Sequence, residues 1–211
     1  MPVCLGAYAR FEPIMVDKSR LRALAQFGVD RIIVGCIDPS LNPGGKQGGS
    51  KPGFTWDYLR LINLVNEIRD LGMELGTLEI AGQAEASAME HIWLGGELRD
   101  QQLENLSANI RLAGRAGVTL MAYHWMCNPP TMISASWRHS YEVPGRAGAL
   151  LSEIDMARLE PLPLFRDREY SREEMWDNYE YFVRRILPVC EDAGVRMAVH
   201  PDDPPVSTMG G

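Results

Sequence analysis

Cysteine is sparse and scattered: Cys4, Cys36, Cys127 and Cys190 contain no C-x-x-C pair, so neither a zinc knuckle nor a disulfide framework is expected. Basic charge is also short, with 21 Lys and Arg against 28 Asp and Glu and a net charge of −7. No run of Lys and Arg forms a compensating stripe, which argues against nucleic acid as a partner. No uninterrupted apolar run approaches bilayer-spanning length, and Met1-Pro2-Val3-Cys4 lacks a basic segment followed by an apolar one. A cytoplasmic protein with no membrane partner is the expectation. The Gly- and Pro-rich stretch from Asp38 to Ser50 lacks the Gly-x-x-x-x-Gly-Lys-Ser/Thr spacing, and no helix starts directly after Lys46. That excludes a phosphate-cradling loop there.

What is present is ordinary globular material, 45% hydrophobic over 211 residues, enough for one sizeable core and read as a single domain over 1–211. Its organisation is a weak repeat in which a helix stops at a glycine and an apolar strand follows: Phe27-Gly28-Val29, Leu71-Gly72-Met73, Ala116-Gly117-Val118 and Ala193-Gly194-Val195. Such a rhythm predicts parallel-strand βα units. Strands are expected over Val3–Tyr8, Arg31–Gly35, Met73–Ile80, Val118–His124 and Val195–His200. Helices are expected from Asp17 to Gly28, from a cap at Thr55 with Leu59, Ile62, Leu64, Val65 and Ile68 on one face, and from a cap at Asp100 with Leu103, Leu106, Ile110 and Ala113. The Ser171-Arg172-Glu173-Glu174 capping box then opens a long helix lined by Met175, Tyr179, Phe182, Val183, Ile186 and Cys190, with Pro188 expected to kink it or mark a change in its last turns. Glu85, Glu90, His91 and Trp93 are read as loop, and no element is expected between about Asn128 and Tyr170. A connection of that length reads as a substrate-covering excursion.

Polar residues collect where these strands end. Glu79 closes the third strand, Tyr123 and His124 the fourth, and His200 the last, followed by Pro201, Asp202, Asp203, Pro204 and Pro205. An α/β barrel builds its site at this end, with apolar strands delivering polar groups to loops. Prolines around Asp202 and Asp203 lower the entropy lost when those carboxylates are fixed.

The segment Met175-Trp176-Asp177-Asn178-Tyr179-Glu180-Tyr181-Phe182, then Ile186-Leu187-Pro188 and Glu191 through His200-Pro201-Asp202-Asp203-Pro204-Pro205, resembles the middle of the mannonate dehydratase family. Upstream, Tyr123-His124-Trp125-Met126 resembles the family's Y-N-F-M with His124 in place of Asn, Trp137-Arg138 resembles its W-T-R, and Glu79 resembles its acid closing strand three. The resemblance implies a xylose-isomerase-like (β/α)8 TIM barrel that dehydrates D-mannonate to 2-keto-3-deoxygluconate with a divalent metal, typically Mn2+. It implies His200 as metal ligand and Asp202 or Asp203 holding the ligand loop or touching substrate. Catalytic roles fall to His124, Tyr123 and Asp202; Glu79, Trp137, Arg138 and Asp203 are expected to bind the sugar acid. About five βα units can be counted where a closed barrel takes about 250 residues, so the reading is an incomplete barrel, the N-terminal part of a longer enzyme. A homo-oligomer is compatible with it. Two alternatives stay open: a sugar isomerase or epimerase on the same barrel, and a non-catalytic partial barrel.

Overall fold

Every passage from helix to strand in the parallel sheet is closed by the same device. Gly28, Gly72, Gly117 and Gly194 have φ of 78, 78, 83 and 65°, a left-handed conformation that costs other residues a Cβ clash. The next residue then donates its N–H to a carbonyl five positions back: Val29 to Leu24, Met73 to Ile68, Val118 to Ala113 and Val195 to Cys190, at 3.0–3.2 Å in the first, second and fourth turns and 2.9 Å in the third. This Schellman closure turns the chain sharply and starts an apolar strand at once.

A computed structural model describes residues 4–7, 18–35, 55–80, 89–125, 127, 141–155, 157, 164, 168–200, 206–208 and 210–211. Strands β1 (Cys4–Ala7), β2 (Arg31–Gly35), β3 (Glu74–Ile80), β4 (Leu120–His124) and β7 (Arg196–His200) form one parallel sheet in the order β1-β2-β3-β4-β7. Helices α1 (Lys18–Gln26), α2 (Tyr58–Asp70), α4 (Arg99–Arg115) and α5 (Arg172–Ala193) alternate with them, and α3 spans 89–94. Among the described residues β1 and β7 each pair on one side, so the sheet is open at both edges.

One face of the sheet is covered by helices. Leu61, Val65 and Ile68 of α2, Leu103, Leu106, Ile110 and Ala113 of α4, and Phe182, Ile186 and Cys190 of α5 share one core with Ile32, Val34, Leu78, Ile80, Met121 and Tyr123. Their spacing of three and four is the helical stripe expected of amphipathic helices, and each large apolar side chain so buried is worth about 1.5–3 kcal/mol. Where α4 meets the end of α5 the backbones nearly touch: a Cβ on Gly114 would lie 2.3 Å from the Ala193 carbonyl oxygen.

Several expected details are corrected. The α2 cap is Asp57, whose Oδ1 accepts from Leu59 N at 2.8 Å and Arg60 N at 3.2 Å; Thr55 precedes it, and Leu59 is exposed. Asp100 lies inside α4, which Leu98 precedes without a side-chain cap; its carboxylate instead accepts from Tyr181 Oη at 2.6 Å, tying α4 to α5. Glu90, His91 and Trp93 are helical. Residues 141–155 contain an antiparallel ribbon, β5 (Tyr141–Pro144) with β6 (Leu150–Glu153). Pro188 leaves α5 continuous. It sits on the exposed side, where the Arg184 carbonyl that loses its helical partner can meet water. The Ser171 cap is as expected, Oγ accepting from Glu174 N at 3.1 Å.

Candidate functional site

Side chains alternate between the faces of a strand, so register decides what meets. In this sheet Glu79 pairs with Ala122, Ile80 with Tyr123, Tyr123 with Val199, and His124 with His200. Glu79, His124 and His200 therefore share the face away from the helices, at the carboxyl ends of three adjacent strands. Ile80, Tyr123 and Val199 form the next row on the helix face.

Glu79 lies one pleat before the position opposite His124, a diagonal that long side chains span. Its Oε1 meets His124 Nε2 at 3.1 Å, and both residues are buried, 4% and 3% exposed. The His124 ring stands edge-on to His200, centroids 4.7 Å apart at 80°. Glu79 Oε2 is buried and finds no hydrogen-bond partner among the described residues. A buried acceptor left unsatisfied costs about 1–3 kcal/mol, so a ligand that supplies a donor recovers that cost on binding.

Tyr123, expected beside His124 as a catalytic group, does not join this group. Alternation turns it toward α5, where its ring packs edge-on to Phe182 at 5.1 Å and its hydroxyl lies 3.1 Å from Tyr179 Oη. Burial, then that hydrogen bond, pushes its phenol far above the ordinary range, which leaves it a poor proton donor. Trp125 packs into the same layer against Tyr179 and Phe182. Cys190 is buried in the helix face, and burial pushes its thiol up, as expected for a core cysteine. Trp137, Arg138, Asp202 and Asp203 lie outside the described residues, as does Glu85.

A divalent cation can be tested on donor chemistry. Imidazole and carboxylate suit manganese, magnesium or zinc, and His200 with Glu79 Oε2 are donors of that kind. Among the described residues, however, no three His, Cys, Asp or Glu side chains are arranged to hold an ion. The described residues make at most part of a metal site.

The pairing of Glu79 with His124 is what sequence reading missed; the spacing from the helix-ending glycines marks only the strand ends. Glu79 follows Gly72 by seven residues, His124 follows Gly117 by seven, and His200 follows Gly194 by six. Similar counts from equivalent turns place all three residues near the carboxyl ends of their strands.

A family model described as D-mannonate dehydratase (UxuA) matches residues 16–137 and 141–211. Mannonate dehydratase of Streptococcus pneumoniae (strain 70585) is 31% identical over 180 residues, covering 75% of this chain and 47% of its own length. Mannonate dehydratase 2 of Halalkalibacterium halodurans is 28% identical over 179 residues, covering 75% and 50%. The chain spans about half the length of the curated relatives it matches. Among solved structures, mannonate dehydratase from Streptococcus suis serotype2 superposes with a TM-score of 0.68 at 24% identity, over 100% of this chain and 54% of that one. A D-psicose 3-epimerase from Clostridium cellulolyticum H10 gives 0.57 at 15% identity, over 94% and 52%. Both likenesses bear on the fold, that of a TIM barrel, whose sheet is not closed among the described residues. With its family model matched over most of its length, this chain belongs to the D-mannonate dehydratase family.

Proposed function

We propose that the chain supplies part of the site of a hydro-lyase that converts D-mannonate to 2-keto-3-deoxygluconate and water. The observation that carries this reading is the buried Glu79–His124 pair beside His200 at the strand ends, in a chain of this family. The reaction breaks the C2–H and C3–O bonds: a base takes the C2 proton, the C3 hydroxyl leaves as water with a donated proton, and the resulting enol becomes the 2-keto acid. His124 is suited to carry one of those protons, since an imidazole works near neutral pH. Glu79 Oε2 is suited to accept a substrate hydroxyl. His200 is assigned as a ligand of a divalent metal, manganese by preference, which when bound offsets charge building on the substrate carboxylate. Asp202 as a catalytic group, and Trp137, Arg138 and Asp203 as substrate contacts, complete the assignment.

The test combines calorimetry and turnover on the 211-residue chain with Mn2+. D-Mannonate is expected to bind and a neutral sugar such as D-tagatose is not, with His200→Ala abolishing Mn2+ binding. Where turnover is measurable as 2-keto acid formation, His124→Ala is expected to lower kcat by about 10²–10⁴-fold. Preferential binding of the neutral sugar, with its epimerisation, would transfer the site to isomerase chemistry; binding of neither would overturn the assignment to this chain.

A further inference from the structure

The carboxylate of Glu79 touches His124 from a neighbouring strand, and the two are fixed relative to each other by the β3–β4 register. On its other side the His124 ring is met by His200. An imidazole held from two sides has little rotational freedom, and which of its nitrogens bears the proton is set by the hydrogen bond the other group makes. We infer that Glu79 is the positioning residue for His124: Oε1 receives Nε2–H, selects one ring orientation and one tautomer, and leaves Nδ1 as the ring's basic nitrogen. The inference uses the proposed function only to say what the oriented ring is for.

The sequence has four histidines, so the point can be settled by long-range 1H–15N NMR of the imidazoles in the metal-free 211-residue chain. A single fixed pH above the imidazole range keeps titration out of the measurement, and a His124→Gln spectrum identifies the His124 signals. The parent chain is expected to show His124 in one tautomer, with a slowly exchanging Hε2 close to the Glu79 methylene protons. Glu79→Gln, which keeps an acceptor oxygen, should preserve that tautomer, whereas Glu79→Leu should give a mixture of both and lose the protected Hε2. An Nδ1–H tautomer in the parent, or an unprotected Hε2, would overturn the inference without any variant having to fold. An unchanged single tautomer in Glu79→Leu would overturn it as well. Absence of mannonate binding with the tautomer pattern intact would count against the proposed reaction and leave the positioning role standing.

Discussion

Strands β3 and β7 are alike as sequence: each starts two residues after a helix-ending glycine, carries apolar residues and has a titratable group at or next to its end. Their surroundings differ. β3 has a strand on each side, and its last four residues are all buried. β7 pairs with β4 alone among the described residues, and in the row Ile80–Tyr123–Val199 exposure is 2%, 4% and 45%. The difference teaches that burial belongs to the position in the sheet rather than to the strand's composition. It also separates two kinds of site residue. Glu79 and His124 stand on enclosed strands and find each other, while His200 stands on a strand that pairs with β4 alone among the described residues and meets the His124 ring from there.

The largest effect expected from this contrast comes from trimming the two ends of that row to alanine. Ile80→Ala should cost about 2–5 kcal/mol in urea unfolding because it opens a cavity in a filled core, whereas Val199→Ala should stay within about 0.5 kcal/mol. Equal costs would break the comparison, showing that the outer side of β7 is covered in solution. Between those two residues lies Tyr123, where Tyr123→Phe should lose about 0.5–1.5 kcal/mol near neutral pH with the phenol–phenol hydrogen bond. Its folded pKa lies above the unfolded value of 10.0, so the folded chain retains a proton that the unfolded chain releases. That stabilisation is complete below about pH 10 and declines as pH rises through and beyond it, so the gap between parent and Tyr123→Phe should shrink in alkaline melts. A gap that stays constant would mean the phenol is not enclosed. The smallest effect belongs to the surface at the start of α5, where Arg168 holds the Glu174 carboxyl below its ordinary value through a hydrogen bond. This contribution is present above the unfolded carboxyl pKa and lost as pH falls through the folded one. Exposed as the pair is, it is worth about 0.2–1 kcal/mol, and Arg168→Ala should flatten that acid limb of the stability curve.

Much of the fold was legible in the residues. Gly28, Gly72, Gly117 and Gly194 announced the four turns because only glycine takes their backbone conformation cheaply. The apolar stretches that follow announced strands, and Leu103, Leu106, Ile110 and Ala113 announced the buried stripe of α4. Caps were less legible. Thr55 and Asp57 are both good cap residues two positions apart, and nothing local says which one the chain uses. Asp100 reads as a cap until Tyr181 and Arg185, far away in sequence, claim its carboxylate. The ribbon at 141–155 was missed because two four-residue strands carry too little pattern to stand out.

The candidate site divides along the same line. The sequence alone determined that Glu79, His124 and His200 end strands, since that depends on local turns and apolar runs. It could not determine which neighbours on one strand end face the site: Tyr123 and His124 are adjacent and looked equally suitable. Tertiary structure assigned one to the helix layer and the other to the opposite face. Nor could it determine that Glu79 reaches His124, because that contact depends on the stagger between β3 and β4, which packing and hydrogen-bond register set between segments distant in the chain.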